Sequence, residues 1–238
     1  MGYQDIFKRY ELKYLISTTQ KERILEATSS YVKEDDFCRS TICNIYYDTP
    51  DNILIRRSLE KPVYKEKLRL RSYGQAKPDG TAFIELKKKY KGIVYKRRVA
   101  MTYEEAVRYL EGKAKAPRQS QITDEIDYVL SFYQGIAPAM YLSYDREAYQ
   151  GRTDKNLRIT FDENILWRTE DKNLCHSVYG APILEQGQIL MEIKVGGAMP
   201  LPLAHLLSEE QIYKTSFSKY GRAYMIDSEK KEIANSIA

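Results

Sequence analysis

Cysteine, histidine and tryptophan are scarce in this chain of 238 residues. Cys38, Cys43 and Cys175 are its cysteines, His176 and His205 its histidines, and Trp167 its tryptophan. No C-x-x-C pair occurs, and the adjacent Cys175-His176 is not a ligand spacing, which excludes a Cys/His zinc site. An odd number of thiols in a chain this large reads as reduced, mostly buried cysteines in a cytoplasmic protein. Trp167 reads as core or rim packing. No apolar run approaches the roughly 20 residues of a membrane helix, and the N-terminus lacks a signal-peptide core. Internal repeats and low-complexity tracts are also missing, which removes solenoids from consideration.

What is present suits a packed domain. A hydrophobic fraction of 43% supports a sizeable core, and 30% charged residues argue against disorder. The length fits a single domain spanning residues 1–238. Lys and Arg number 38 against 33 Asp and Glu, a surplus of only +5, so the placement of charge matters more than its total. The 21 tyrosines favour strands and walls of mixed polarity.

The organising stretch is Lys65-Glu66-Lys67-Leu68-Arg69-Leu70-Arg71. Successive side chains of a strand point to opposite faces. Lys65, Lys67, Arg69 and Arg71 therefore form one cationic row, with Leu68 and Leu70 on the reverse and Glu66 beside them. Thr81 to Lys89 alternates likewise, placing Glu85, Lys87 and Lys89 opposite Ile84 and Leu86. In Ile93 to Met101, Lys96 and Arg98 share a face opposite Tyr95, Arg97 and Val99. These three segments, joined by short turns, predict an antiparallel meander.

The pattern recurs elsewhere. Phe7 to Ile16 sets Arg9, Glu11 and Lys13 against Tyr10, Leu12, Tyr14 and Ile16. Arg146 lies in a strand from Met140 to Tyr149. Leu157 to Asp162 sets Arg158, Thr160 and Asp162 against Ile159 and Phe161. Gln188 to Val195 sets Glu192 and Lys194 against Ile189, Met191 and Ile193. Helices are predicted from Ser17 through about Val32, from Thr102 to Leu110 behind a capping box, over Ser120 to Tyr133, at Leu203 to Leu207 and from about Phe217. Lys33 to Asp36 reads as a charged link, and Asn44 to Asp48 as the end of a strand stopped by Pro50.

In an ordinary half-buried antiparallel sheet the ionic face meets water. The ionic faces here are strongly basic, with only Glu11, Glu85, Asp162 and Glu192 to offset them. If the sheet closes, such residues line a lumen that needs an anion to fill it. Rows of Arg and Lys offer forked, charge-assisted hydrogen bonds to several phosphates at once, and a few carboxylates among them could hold a divalent ion. The ligand this points to is a short, densely charged polyphosphate chain.

The residues also resemble a known family. The sequence is similar to the triphosphate tunnel metalloenzymes, and within them to the VTC domain, the catalytic part of ATP-dependent polyphosphate polymerases. The matching motifs are Arg9-Tyr10-Glu11-Leu12-Lys13-Tyr14, Tyr46-Tyr47-Asp48, Leu68-Arg69-Leu70-Arg71-Ser72-Tyr73-Gly74, Phe83-Ile84-Glu85-Leu86-Lys87, Arg146, Leu157-Arg158-Ile159-Thr160, Met191-Glu192-Ile193-Lys194-Val195 and Ser218-Lys219-Tyr220. The resemblance implies an α+β fold: an eight-stranded antiparallel β tunnel barrel with a charged lumen and flanking helices. It implies that Arg9, Lys13, Arg69, Arg71, Lys87, Lys96, Arg98, Arg146, Arg158, Lys194 and Lys219 bind triphosphate or polyphosphate. Lys13, Arg69, Arg71 and Lys219 are then catalytic, Glu192 ligates manganese or magnesium, and ATP is the substrate. In the adenylate-cyclase and thiamine-triphosphatase branch two glutamates precede the lysine of the first strand. Arg9 stands at the first of those places here, which favours holding a polyanion over activating water.

Three functions follow from that reading. The first is transfer of a nucleotide γ-phosphate to a polyphosphate chain, the second a metal-dependent tri- or polyphosphatase, the third a polyphosphate- or nucleotide-binding module without turnover. A membrane partner protein is compatible with each, although the chain shows no membrane segment of its own. Nucleic acid is disfavoured, because the basic residues alternate with apolar ones over many strands instead of clustering on one helix.

Overall fold

The computed structural model describes residues 10–91 and 93–237. Its strands are β1 (Tyr10–Ser17), β2 (Val32–Asp48), β3 (Tyr64–Tyr73), β4 (Thr81–Tyr90), β5 (Ile93–Thr102), β6 (Ala137–Gly151), β7 (Arg158–Arg168), β8 (Ala181–Pro182) and β9 (Gln188–Val195). Its helices are α1 (Thr18–Thr28), α2 (Ile53–Leu59), α3 (Tyr103–Leu110), α4 (Gln121–Phe132), α5 (Leu201–Glu209) and α6 (Lys219–Ile237). The hydrogen-bonded strand order is β1-β9-β7-β6-β2-β3-β4-β5, with β8 on β7. The pairings β1–β9, β2–β3, β3–β4, β4–β5 and β7–β9 are all antiparallel. No helix among the described residues is long and apolar enough to cross a membrane.

The residues gather into two compact units. One takes in residues up to Ser40, Tyr144–Ile165 and Leu184–Phe217; the other takes in Thr41–Ser143, Leu166–Ile183 and the residues from Ser218 onward. In the second unit, the meander buries Leu68, Leu70, Ile84 and Leu86 against Ala106, Tyr109 and Leu110 of α3 and Ile126 and Val129 of α4. Strand alternation thus leaves the opposite face of β3–β5 to charged residues. Glu66 and Lys88 are on the helix-covered face. Glu66 accepts hydrogen bonds from the Tyr64 and Tyr133 hydroxyls, and Lys88 joins Arg97 on Glu125 of α4.

The first unit repeats the scheme. Tyr14 and Ile16 of β1, Ile159 and Phe161 of β7, and Ile189, Met191, Ile193 and Val195 of β9 pack with Ile24 of α1 and Leu203 and Leu207 of α5. Ser17 and Gln20 close a capping box at the start of α1, because the N-cap hydroxyl meets an otherwise orphaned N–H.

Two expectations need correction. α1 stops at Thr28 and not near Val32. The Thr28 hydroxyl bonds the Ile24 carbonyl and the Ser29 hydroxyl bonds that of Glu26, so these side chains compete for helix carbonyls as the helix ends. Lys33 to Asp36, read as a link, belongs to β2, which begins at Val32.

α2 went unrecognised in the sequence. Its N-cap, Asn52, makes no side-chain cap, and the missing acceptors come from Asp48 at the end of β2. The Asp48 carboxylate accepts from the backbone N–H groups of Thr49, Leu54 and Ile55 at 2.9–3.0 Å.

Candidate functional site

In the second unit, Arg69 of β3 is paired in register with Glu85 of β4, and Glu85 with Arg98 of β5. Register alone therefore brings two guanidiniums to one carboxylate. Glu85 is 1% exposed and takes Arg69 Nη2 on Oε2 at 2.6 Å, Arg98 Nη2 on Oε1 at 2.6 Å and Lys96 Nζ on Oε1 at 2.8 Å. Arg71 Nε lies 3.8 Å from Oε2 and donates to Asn44 Oδ1 at 2.9 Å. Asn44 is fixed in turn by its bond to the Leu142 carbonyl. One buried carboxylate thus faces four cations, Arg69, Arg71, Lys96 and Arg98.

The titrations reflect this. Burial alone would raise the Glu85 carboxyl, and the surrounding cations overcome it, holding the group well below the usual carboxylate range. Burial lowers Lys96, Glu85 draws it back, and repulsion from Arg69 and Arg71 adds to the depression, leaving it at about 8.

The row continues along the same strands. Lys67 Nζ donates to Ser218 Oγ at 2.9 Å, just before Lys219 in the first turn of α6. Lys219 is buried, while Lys87 is exposed and stands in register with Lys67 and Lys96. Tyr46 lies beside this group. Its hydroxyl accepts from Arg69 Nη1 at 3.1 Å, and its ring stacks on Tyr220 at 4.4 Å with 15° between planes.

The first unit holds a different cluster. Arg146 of β6 grips Asp162 of β7 with two parallel bonds, at 2.6 and 2.7 Å, and Asp162 is fully buried. Arg146 Nη2 is 3.6 Å from Glu192, and Lys13 Nζ is 3.2 Å from the other oxygen of Glu192 and 3.4 Å from Glu11. Lys13 also donates to the Phe217 carbonyl. Lys194 approaches Glu11 at 3.9 Å, and Arg158 pairs with Asp35 of β2 at 2.8 Å.

The expected residues therefore fall into two sets. Arg69, Arg71, Lys96 and Arg98 converge on Glu85, with Lys87 and Lys219 in the same unit; Lys13, Arg146 and Glu192 gather with Asp162, while Lys194 and Arg158 sit on other carboxylates. Arg9 lies outside the described residues. Sequence reasoning counted Glu85 and Asp162 only as partial offsets to a basic face and missed them as anchors. It also passed over Tyr46 and Asn44. The E-x-K of Glu85 and Lys87 was the available signal, since a strand carries both on one face.

Among the described residues, no three His, Cys, Asp or Glu side chains form a metal-holding group. Glu192 is a nearly buried carboxylate whose neighbouring cations stand at 3.2 and 3.6 Å. That donor set fits an ion that takes one or two carboxylates and completes its shell with phosphate oxygens and water, as magnesium does. It does not fit a resident all-protein cage.

The family model of the VTC domain matches residues 8–226. The chain belongs to the VTC domain family. The family expected from the motifs is thereby borne out across nearly the whole sequence. No curated protein matches the chain. Among solved structures, a candidate adenylate cyclase from Bacillus halodurans aligns at 15% identity with a TM-score of 0.53, covering 87% of this chain and 92% of its own. At that identity the likeness concerns the fold, and it bears out an antiparallel sheet with flanking helices. A candidate adenylyl cyclase from Hippeastrum, described with a dominant triphosphatase activity, aligns at 17% identity with a TM-score of 0.48, covering 90% and 94%.

Proposed function

We infer that this VTC domain protein is a phosphotransferase that moves the γ-phosphate of a nucleotide, ATP by expectation, to the end of a polyphosphate chain. The observation carrying this reading is the convergence of Arg69, Arg71, Lys96 and Arg98 on the single carboxylate of Glu85. Phosphoryl transfer asks chiefly for positioning and charge neutralisation, which a fixed set of cations supplies. Glu85 orients the guanidiniums before any ligand arrives, and the cations gathered on it receive the triphosphate oxygens.

In the reaction the bond from the γ-phosphorus to the β,γ-bridging oxygen breaks. A bond to a terminal oxygen of the acceptor chain forms, and the nucleoside diphosphate leaves. The chain end is already ionised at neutral pH, so no general base is required. Lys13, Lys87, Arg146, Arg158, Lys194 and Lys219 have the same proposed role of phosphate binding. Glu192 would ligate manganese or magnesium, which would supply charge neutralisation to bound phosphate.

Incubation with ATP and manganese tests the reading. Long-chain polyphosphate is expected. Free phosphate alone would identify a hydrolase, and tight binding without turnover under several metals would identify a binding module.

A further inference from the structure

Three elements meet at one buried side chain. The Asp48 carboxylate, 2% exposed, ends β2 and accepts the N–H groups of Leu54 and Ile55 that open α2. Its Oδ2 also accepts the Tyr220 hydroxyl at 2.9 Å, from the residue directly after Lys219 in α6. Tyr220 is 2% exposed, and its ring lies flat against Tyr46, whose hydroxyl takes the Arg69 hydrogen bond. A continuous line of contacts therefore runs from Asp48 through Tyr220 and Tyr46 to Arg69, with Lys219 as the backbone neighbour of Tyr220.

We propose that Asp48, Tyr220 and Tyr46 form a positioning unit that fixes Lys219 and Arg69 relative to each other for triphosphate binding. The inference rests on the phosphate-binding role given above to those two cations. The two phenols do different work. Burial and the adjacent Asp48 carboxylate push the Tyr220 hydroxyl far above its ordinary range, so it remains a donor to Asp48. Burial would raise Tyr46 too, but Arg69 and Arg71 more than offset it, with the Arg69 bond and Lys219 adding, so its oxygen is disposed to accept.

Neither ring needs to touch the ligand. A flat stack between a phenol anchored on Asp48 and one bonded to Arg69 resists displacement of either partner, and a small misplacement of a binding group is costly. Arg69 is held on its other side by Glu85, so its orientation is fixed from two directions. Lys219 has its place set through the backbone by Tyr220.

The test is a pair of coupling measurements with tripolyphosphate as the probe, read by titration calorimetry on the full chain. Tyr220→Phe keeps the ring and removes the bond to Asp48. It should weaken tripolyphosphate binding about fivefold, the loss typical of one hydrogen bond, and have almost no further effect in a Lys219→Ala background. Tyr46→Phe should behave in the same way toward Arg69→Ala. An equal loss in both backgrounds, or no loss in either, overturns the proposal, because a merely structural role adds independently of the cation. Should Tyr220→Phe unfold, Tyr46→Phe alone decides. Turnover is followed separately. Coupling without polyphosphate synthesis would refute the phosphotransferase reading and leave the positioning unit standing; synthesis without coupling would do the reverse.

Discussion

The two charged clusters of this protein are built from the same residue types and differ in their balance. Around Glu85, one carboxylate serves Arg69, Arg71, Lys96 and Arg98. Around Arg146, the carboxylates Asp162 and Glu192 meet the cations Arg146 and Lys13. In the first cluster several cations share one buried carboxylate, the arrangement on which the proposed phosphate site rests. In the second, the forked Arg146–Asp162 pair, fully buried on the acid side, has the form of a structural tie. The contrast sets several cations gathered on one acid against an acid and a cation matched in a forked pair.

Substitutions should pull the two apart. The largest effect on function is expected from Arg69→Ala, which removes a preorganised donor from the cluster around Glu85. ATP-dependent polyphosphate formation should fall at least about 100-fold, with the circular-dichroism spectrum and melting temperature nearly unchanged. Arg146→Ala should act strongly on stability, since it removes the forked pair from the buried Asp162 carboxylate. A loss of about 3–5 kcal/mol in chemical denaturation is expected. Similar stability losses for the two variants would dissolve the distinction.

Glu85→Gln sharpens the same comparison from the acid side. It removes the counter-charge from the mutually repelling cations, so the free protein should melt lower, and added tripolyphosphate should raise its melting temperature more than that of the unsubstituted protein. A smaller rise would mean that Glu85 orients the cations so strongly that their extra charge is of no use.

The smallest effect is a pH dependence. Lys96 titrates at about 8 in the free protein, and a bound anion favours its charged form. Tripolyphosphate affinity should therefore be highest below pH 8 and fall a few-fold as pH rises through it, a slope that Lys96→Arg should flatten because arginine stays charged. The stability sign is opposite. The folded pKa of Lys96 lies below its ordinary 10.5, so the cost of its charge is present below pH 8 and is relieved as pH rises toward 10.5.

Much of this was legible in the chain because strands repeat every two residues. The cationic row of β3, the placement of Glu66, Lys88 and Arg97 on the helix-covered face, and the facing pair Lys96 and Arg98 all follow from alternation. Local caps were equally readable: Thr102 and Glu105 close the capping box of α3 as expected. What escaped depends on contacts distant in sequence. α2 is capped by a carboxylate from the preceding strand, and Tyr220 reaches Asp48 across 172 positions. Glu85 escaped for a similar reason. Its part is set by the register of β3, β4 and β5, and a count of charges along one strand registers it only as one acid among bases.

The proposed phosphate site is the group of cations around Glu85. A crystal of the protein soaked with a non-hydrolysable ATP analogue and manganese tests it most directly. Phosphate density within hydrogen-bonding distance of Arg69, Arg71 and Lys96, with Glu85 still in place, is the predicted result. A well-occupied nucleotide bound elsewhere, with that cluster unchanged and without phosphate, would contradict it.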